Sequence, residues 1–284
     1  MNQKDHRMPK HLSDADLILS DDQRIYHPNL HPDDVADNVI LVGDPERVKM
    51  IGKYFDRITA RAKTREFSSL SGMIGATPMT VLSTGISTAN IDIVMNELDA
   101  LVNIDFKTRQ AKPTHRQLNI IRLGTAGSIQ ADIPLDSTVV SSYGLSLGSL
   151  LHFYKLTRTP DEKALINDFS DHLNLNKQGL FPTAAAANAD LLKTFQADCI
   201  AGITLTCPGF YAPQGRHLRL APSFSHWIED VSAFRFKGQY IANFEMETAA
   251  IYRLGQLLGH RCASLSAIVA DRVHNRFSKR PNHT

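Results

Sequence analysis

The chain has 284 residues, of which 43% are hydrophobic and 21% are charged, and its 31 basic and 29 acidic side chains give a formal net charge of +2. This composition is typical of a globular protein and excludes a general basic surface for nucleic acid. The apolar stretches, such as Val39–Val42, are far shorter than the ~18 residues of a membrane span, so we expect no membrane partner. Three widely spaced cysteines and an N-terminus without a continuous apolar segment favour a cytoplasmic protein.

The first predicted elements follow a polar N-terminal stretch. Residues 1–25 are predicted to form an arm, and residues 26–284 a single domain, because no long linker interrupts the apolar segments that follow. Val39–Val42 is predicted as a strand. It runs into Gly43-Asp44-Pro45, where Asp44 can cap a helix and Pro45 suits its first position.

Strands and helices then alternate along the chain. We predict a strand at 79–83, a turn at 84–85, an amphipathic helix at about 91–101, a strand at 119–123 and a turn of small residues at 124–127. Further strands are predicted at 137–142, 203–206 and 263–270, with a helix at 246–258 before the last. This alternation predicts an α/β sheet covered on both faces, with ligands bound at the loops that leave its strands.

Two of these loops combine glycine with arginine directly after an apolar strand. One is Gly43–Arg47 and the other is Arg122–Gly127. Glycine lets backbone N–H groups approach a ligand, and arginine supplies a forked donor for phosphate oxygens. Both loops are therefore candidate anion sites, although a Gly-Asp-Pro turn alone is more often a simple helix cap.

Two carboxylates, Glu245 and Glu247, stand where an extended segment meets a helix. A carboxylate at such a place can accept two hydrogen bonds from a vicinal diol such as ribose. The alternative is an acidic first helical turn, since negative charge stabilises a helix N-terminus.

These motifs, in this order, resemble the nucleoside phosphorylase family of uridine and purine nucleoside phosphorylases. The resemblance spans residues 25–278 and rests on Gly43–Arg47, the Ser83–Ile86 turn, Arg122–Gln130 and Phe244–Glu247. It implies a three-layer α/β/α fold with a central mixed sheet. It also implies a pentosyltransferase that performs the reversible phosphorolysis of a nucleoside to a free base and ribose 1-phosphate, with inorganic phosphate as co-substrate and no required cofactor.

The resemblance assigns each substrate group to residues of this chain. The phosphate would bind Gly43, Arg47, Arg65, Arg122 and Thr125, and the ribose would bind His27, Glu245, Met246 and Glu247. In this family the neighbouring subunit completes the site. Arg65 and His27 match the positions that cross the interface, so we expect a homo-oligomer, at least a dimer and, in an alternative, a hexamer.

The segment Phe210–Arg216 resembles the uracil-recognition loop of uridine phosphorylases, and we refer to it as the base-binding loop. The resemblance assigns Gly127, Phe210, Gln214, Arg216, Asp271 and Arg272 to the base, and makes Arg122, Glu247, Arg216 and Arg272 the catalytic group. The amide of Gln214 matches the edge of uracil, while Arg216 can stabilise charge on a carbonyl oxygen. We therefore expect uridine as the substrate.

Asp271 leaves a purine alternative open. In purine-specific relatives an aspartate near this place acts as a general acid, which here would require a protonated Asp271 with a raised pKa. Its structural alternative is a salt bridge with a neighbouring arginine. A third interpretation is a nucleoside-binding paralogue without catalysis. The three arginines Arg47, Arg65 and Arg122 argue against it, because a protein that only binds nucleosides needs no phosphate site.

The resemblance also suggests a cation position. Glu66 and Ser83 match positions near which some relatives hold a monovalent cation such as potassium at the dimer interface.

Overall fold

A mixed β-sheet forms the centre of the computed structural model, which describes residues 11–281. The helices are α1 Pro45–Gly52, α2 Thr88–Asn103, α3 Pro160–His172, α4 Ala189–Phe195, α5 Trp227–Ala233 and α6 Thr248–Leu257. The first seven strands are β1 Asn38–Val42, β2 Arg57–Thr64, β3 Phe67–Ile74, β4 Thr77–Ser83, β5 Ile104–Asp105, β6 Gln110–Ala111 and β7 Asn119–Ser128. The others are β8 Thr138–Ser146, β9 Thr183–Ala186, β10 Ile200–Thr206, β11 Arg235–Phe236, β12 Gln239–Glu245, β13 Arg261–Asp271 and β14 Arg276–Phe277.

The sheet has the order β11-β12-β10-β8-β13-β7-β1-β4-β3-β2, with β9 paired to β8 and β14 to β13. Strands β4, β1, β7 and β13 run parallel to one another, whereas β2, β3 and β4 form an antiparallel meander. A short antiparallel contact also joins β12 to β7, through Phe244 and Gly127. The predicted α/β architecture with a central mixed sheet is confirmed.

Helices cover both faces of this sheet. Neighbouring residues of a strand point to opposite faces. Val42 and Val81 pack with Val48 of α1, whereas Leu41 and Leu82 belong to the large core cluster that includes α2 and α6. The three layers predicted from the resemblance follow directly from this alternation. None of the helices within residues 11–281 is long and apolar enough to cross a bilayer.

Local sequence explains the helix that follows β1. The Asp44 carboxylate accepts a hydrogen bond from the Glu46 N–H at 2.9 Å, and Pro45 occupies the first helical position. Both features are as predicted from Gly-Asp-Pro, and they stabilise a helix whose N-terminus faces the loop after β1. Gly43 is thereby fixed at the end of the strand.

The predicted turn at residues 124–127 is wrong. Strand β7 continues to Ser128, because its small residues pair with β13 along the whole length, for example Gly124 with Ser266 and Thr125 with Ala267. The helix predicted from Met246 begins instead at Thr248, since β12 extends to Glu245. Arg122, Thr125 and Gly127 therefore lie on one rigid strand.

The N-terminal segment packs against the domain where the structure describes it. Residues 1–10 of the predicted arm lie outside the described residues. Leu17 and Ile25 are buried in the large core cluster, and the Arg109 Nε donates to the Leu12 carbonyl at 2.8 Å. Apolar side chains within a polar stretch thus attach residues 12–25 to the core.

Candidate active site

A cavity of about 680 Å³ opens at the ends of β1, β4, β7 and β12. Among the described residues, those lining it are Gly43, Asp44, Pro45, Arg47, Glu66, Gly85, Ile86, Asn90, Arg122, Thr125, Ala126, Gly127, Phe210, Gln214, Arg216, Phe244, Glu245, Met246, Glu247, Val269, Ala270 and Phe277. Most of the residues assigned to phosphate, ribose and base are therefore close together. This position agrees with the rule that α/β proteins bind ligands beyond the carboxyl ends of their strands.

Two arginines form the positively charged part of the cavity. Arg47 lies on α1, and its Nη2 is 3.4 Å from the Thr125 hydroxyl. Burial, together with the charge of Arg122, lowers the pKa of Arg47. The two like charges repel each other, and an anion bound between them would relieve this repulsion. Gly43 lines the same cavity, so the residues assigned to phosphate lie together there, with the exception of Arg65.

Arg122 is held by two carboxylates. Its Nη2 is 2.5 Å from Glu247 Oε2 and 3.3 Å from Glu245 Oε2, and all three side chains are at most 7% exposed. Burial alone would lower the pKa of Arg122, but the charges of Glu245 and Glu247 outweigh it and raise that pKa. The other nitrogen, Nη1, is buried and has no hydrogen-bond partner among residues 11–281. A buried charged donor of this kind calls for an acceptor, which an anion in the cavity would supply.

Glu245 and Glu247 have different surroundings. The Glu245 carboxylate accepts hydrogen bonds from the Thr206 hydroxyl at 2.6 Å and from the backbone N–H groups of Glu247 and Thr248 at 2.8 and 2.9 Å. Its oxygens are thus engaged at the start of α6. Glu247 accepts from Arg122 and from the Ser87 N–H at 2.7 Å, and burial raises its pKa. Glu247 therefore keeps lone pairs free for a ligand, whereas Glu245 mainly orients the chain around it.

Gly124 provides the space that Arg122 occupies. A Cβ atom at residue 124 would lie only 1.8 Å from Arg122 Nη1 and 2.4 Å from its Cζ. The guanidinium therefore lies directly over the backbone of β7. A side chain there would displace it.

The loop after β10 brings three side chains to the other part of the cavity. Gln214 is buried, and the Arg216 guanidinium stacks 3.9 Å from the ring centroid of Phe210. Arg216 also donates to the Phe210 carbonyl at 3.1 Å and to Gln214 Oε1. This contact directs the amide NH₂ of Gln214 away from Arg216. Burial, followed by the charge of Arg272, lowers the pKa of Arg216 to about 10, so that it stays positive at neutral pH.

Asp271 and Arg272 do not line the cavity, contrary to their assignment to the base. The Asp271 carboxylate pairs with Arg276 at 2.6 Å and with the His274 ring at 2.8 Å. Burial would raise the pKa of Asp271, but these partners and two backbone N–H groups lower it to about 2. Asp271 is thus ionised and engaged in the β13–β14 turn, as in the structural alternative.

Arg272 is bound to the backbone of the base-binding loop. Its guanidinium donates to the carbonyls of Gln214 at 3.0 Å and Gly215 at 3.2 Å. It therefore holds the loop in place. Adjacent residues of an extended chain point in opposite directions, which separates Arg272 from Asp271.

His27 and Arg65 also lie outside the cavity of their own chain. His27 Nδ1 is 2.5 Å from Glu97 Oε1, and burial raises the pKa of Glu97. Arg65 lies 5.7 Å from the ring centroid of Tyr26 and 3.4 Å from its hydroxyl. The two predicted residues thus share one surface region, and their contribution to a neighbouring subunit stays a prediction.

The predicted cation position is only partly available. Glu66 lines the cavity, but the Ser83 hydroxyl donates to the Glu66 carbonyl at 2.6 Å and accepts from the Ser68 N–H at 2.7 Å. In the described part of the chain, one cluster of metal-ligand residues occurs elsewhere, at Asp99, His115 and His260. The Leu118 N–H donates to Nδ1 of His260, which leaves the proton of a neutral ring on Nε2. That nitrogen cannot bind a metal at the same time.

The structure adds residues that the sequence patterns did not assign. Asn90 and Phe277 line the cavity, and the Ser87 N–H binds Glu247. Ser87 and Asn90 follow the Ser83–Ile86 turn directly, which was the only signal for them. Phe277 reaches the site through the β13–β14 hairpin, for which the sequence offers no pattern.

Comparison with known proteins identifies the class. The profile of the phosphorylase superfamily matches residues 37–280, and the chain therefore belongs to this superfamily. This confirms the resemblance deduced from the motifs.

The chain is also similar to individual proteins along most of its length. The chain is 28% identical to a uridine phosphorylase of Thermococcus kodakarensis over 262 residues, covering 89% of this chain and 80% of the relative. It is 26% identical to the uridine phosphorylase of Escherichia coli over 256 residues, covering 88% and 87% of the two chains. A crystal structure of a Trypanosoma brucei nucleoside phosphorylase, described as showing uridine phosphorylase activity, superimposes with a TM-score of 0.84 at 27% identity and covers 92% of this chain and 93% of that one.

Proposed function

We propose that this protein is a uridine phosphorylase, a pentosyltransferase that converts uridine and inorganic phosphate to uracil and ribose 1-phosphate in a reversible reaction. The observation that carries the proposal is Arg122. Its Nη2 is bound to Glu247, and its buried Nη1 has no hydrogen-bond partner within residues 11–281. An arginine that joins an anion position to a carboxylate with remaining lone pairs fits a substrate pair of phosphate and ribose.

The reaction places specific demands on the residues. A phosphate oxygen forms a bond to C1′ while the bond from C1′ to the base breaks, and the base leaves with the electron pair. The sugar gains positive character and the base gains negative charge. Arg47, Arg122 and Thr125 would hold the phosphate. Glu247 would accept hydrogen bonds from the ribose hydroxyls, with Met246 packing against the sugar.

The base-binding loop supports a pyrimidine. The Gln214 amide is a donor oriented by Arg216, which itself is positive at neutral pH. Donors of this kind suit the carbonyl oxygens of uracil and the charge that develops on them. Phe210 would pack against the base, and Arg272 would keep the loop in position. Asp271 is ionised and bound within the β13–β14 turn, so it cannot act as the general acid that the purine alternative requires.

A homo-oligomer belongs to the same proposal. The region of His27 and Arg65 carries polar groups that the family uses across a subunit interface, and in this chain both lie outside the cavity. We infer that a second copy supplies them, in a cytoplasmic enzyme that requires no cofactor and uses inorganic phosphate as co-substrate. Potassium bound near Glu66 remains a secondary part of this proposal.

A substrate panel tests the proposed function. Uridine and inosine are incubated with and without phosphate, and release of the base is followed by ultraviolet absorbance. Uracil is expected only from uridine and only with phosphate. Turnover of inosine but not uridine would instead favour the purine alternative, and binding of uridine without any turnover would favour a non-catalytic paralogue.

A variant of the base-binding loop sharpens this test. Gln214→Ala is expected to lower kcat/KM for uridine by about 10–100-fold, the loss of one or two buried hydrogen bonds. Gln178→Ala, an exposed glutamine remote from the cavity, is the matched control and should leave it unchanged. Unchanged uridine turnover in Gln214→Ala would refute the base-binding role.

A further inference from the structure

Ser87 adopts a backbone conformation that side-chain-bearing residues avoid. Its φ is 92° and its ψ is 156°, a combination found almost only at glycine. The Ser87 side chain makes no capping hydrogen bond, although the residue is the N-cap of α2. The strain is therefore not compensated by the usual benefit of a serine at this position.

The same peptide makes a contact with the active site. The Ser87 N–H donates to Glu247 Oε1 at 2.7 Å, across 160 residues of sequence. It projects from the start of a helix of 16 residues, whose dipole favours a negative charge there. The second oxygen, Oε2, is held by Arg122 at 2.5 Å. The Glu247 carboxylate is thus fixed by one donor on each oxygen.

We propose that Ser87 is a positioning residue that orients Glu247 toward the 2′ and 3′ hydroxyls, and so sets the preference of the enzyme for ribonucleosides over 2′-deoxyribonucleosides. This inference rests on the proposed function. A carboxylate offers about four lone-pair sites. With one site on each oxygen taken by Ser87 and Arg122, the remaining lone pairs are directed in a fixed geometry for two hydroxyl donors.

The strain explains why the contact is specific. A relaxed backbone at residue 87 with negative φ would point the N–H in another direction, and Glu247 would keep only Arg122 as an anchor. A carboxylate with one anchor can rotate about its side-chain torsions, which weakens a two-donor contact more than a one-donor contact. A ribonucleoside makes the two-donor contact through its 2′ and 3′ hydroxyls, whereas a 2′-deoxyribonucleoside makes only the one-donor contact.

The experiment compares Ser87→Val with Ser87→Gly, using uridine and 2′-deoxyuridine. Valine is β-branched and resists a positive φ, so the peptide should turn and its N–H should leave Glu247. We expect the KM for uridine to rise about tenfold, and the KM values for 2′-deoxyuridine and for phosphate to change less than about threefold. The ratio of kcat/KM between the two nucleosides should fall accordingly.

Ser87→Gly keeps the N–H and removes the strain. Both KM values should stay within about twofold of the parent, and the melting temperature should rise by about 2–4 °C. This variant is expected to fold in any case. A shift of its nucleoside ratio equal to that of Ser87→Val would show that the hydroxyl acts instead of the backbone, and would overturn the proposal.

Asn174→Val is the matched control, because Asn174 has φ of 50° at a position after α3 that does not line the cavity. It should lose stability without changing the nucleoside ratio. An unchanged ratio in Ser87→Val, or equal losses with both nucleosides, would refute the role of Ser87. Turnover of uridine by the parent enzyme in the presence of phosphate tests the proposed function separately, so the two failures are distinguishable.

Discussion

Replacement of Arg122 by methionine should affect stability as well as activity. Arg122 is buried between Glu245 and Glu247, at 3.3 and 2.5 Å. Methionine fills a similar volume but leaves two buried carboxylates without their cation. Removing one partner of such a group typically costs about 3–5 kcal/mol of unfolding free energy. Loss of the phosphate donor should also lower kcat/KM by about 10²–10³-fold or more.

The stability loss should depend on pH. Without Arg122, the pKa of the Glu247 carboxyl rises further above its ordinary value, so the folded state binds a proton that the unfolded state releases near pH 4–5. Between this unfolded-state pKa and the raised pKa of the folded state, stability then falls by about 1.4 kcal/mol for each unit of increasing pH. Urea denaturation at pH 8 and pH 5.5 measures the effect. The deficit should be largest at pH 8.

Two further variants separate charge from packing. Arg122→Met combined with Glu247→Gln removes one of the two uncompensated charges and should recover part of the stability but none of the activity. Lys237→Met, which breaks the exposed pair with Asp161, is the control and should cost less than about 1 kcal/mol at either pH. A single Arg122→Met variant as stable as the parent at pH 8, or one with the same deficit at both pH values, would refute the reasoning.

Two other predictions follow from the site. Asp271→Asn should lower the free energy of unfolding at pH 7 by about 2 kcal/mol, since it removes a charged acceptor of several hydrogen bonds. Because the pKa of Asp271 is lowered to about 2, this stabilisation is present above pH 4 and disappears as pH falls toward 2; thermal denaturation at pH 7 and pH 3 measures it, and a deficit unchanged at pH 3 would contradict it. Gly124→Ala should displace Arg122 and raise the KM for phosphate by about 10²-fold. Gly148→Ala, where a Cβ atom meets nothing closer than 3.5 Å, is its control, and steady-state kinetics showing equal effects would contradict the steric argument.

The sequence predicted those features of the fold that are local. The Asp44 cap and the Pro45 start of α1 depend only on neighbouring residues, and both are confirmed. The extension of β7 past Gly124 was missed because pairing with β13 is a long-range interaction that overrides the turn preference of small residues.

The orientation of adjacent side chains could not be predicted from the sequence either. Asp271 and Arg272 were both expected at the base, whereas the β13–β14 hairpin engages the carboxylate and turns the guanidinium toward the Gln214 carbonyl. In an extended chain, only one of two adjacent side chains can point to a given face, and the sequence does not show which one does. The contact of Ser87 with Glu247 depends on a positive φ, and a serine in the sequence does not predict this conformation.

The buried charges of the cavity compensate one another. Arg122 is buried with Glu245 and Glu247, so these two carboxylates compensate the guanidinium charge inside the cavity. In the proposed function, phosphate would therefore bind the buried Nη1 of Arg122 as a directional donor, beside the positive charge of Arg47. Arg216 stays positive in a separate group beside Phe210, where the proposed reaction develops negative charge on the base. A preorganised arrangement of this kind favours the charge-separated transition state over the neutral nucleoside, and the formal charge of +2 for the whole chain gives no indication of it.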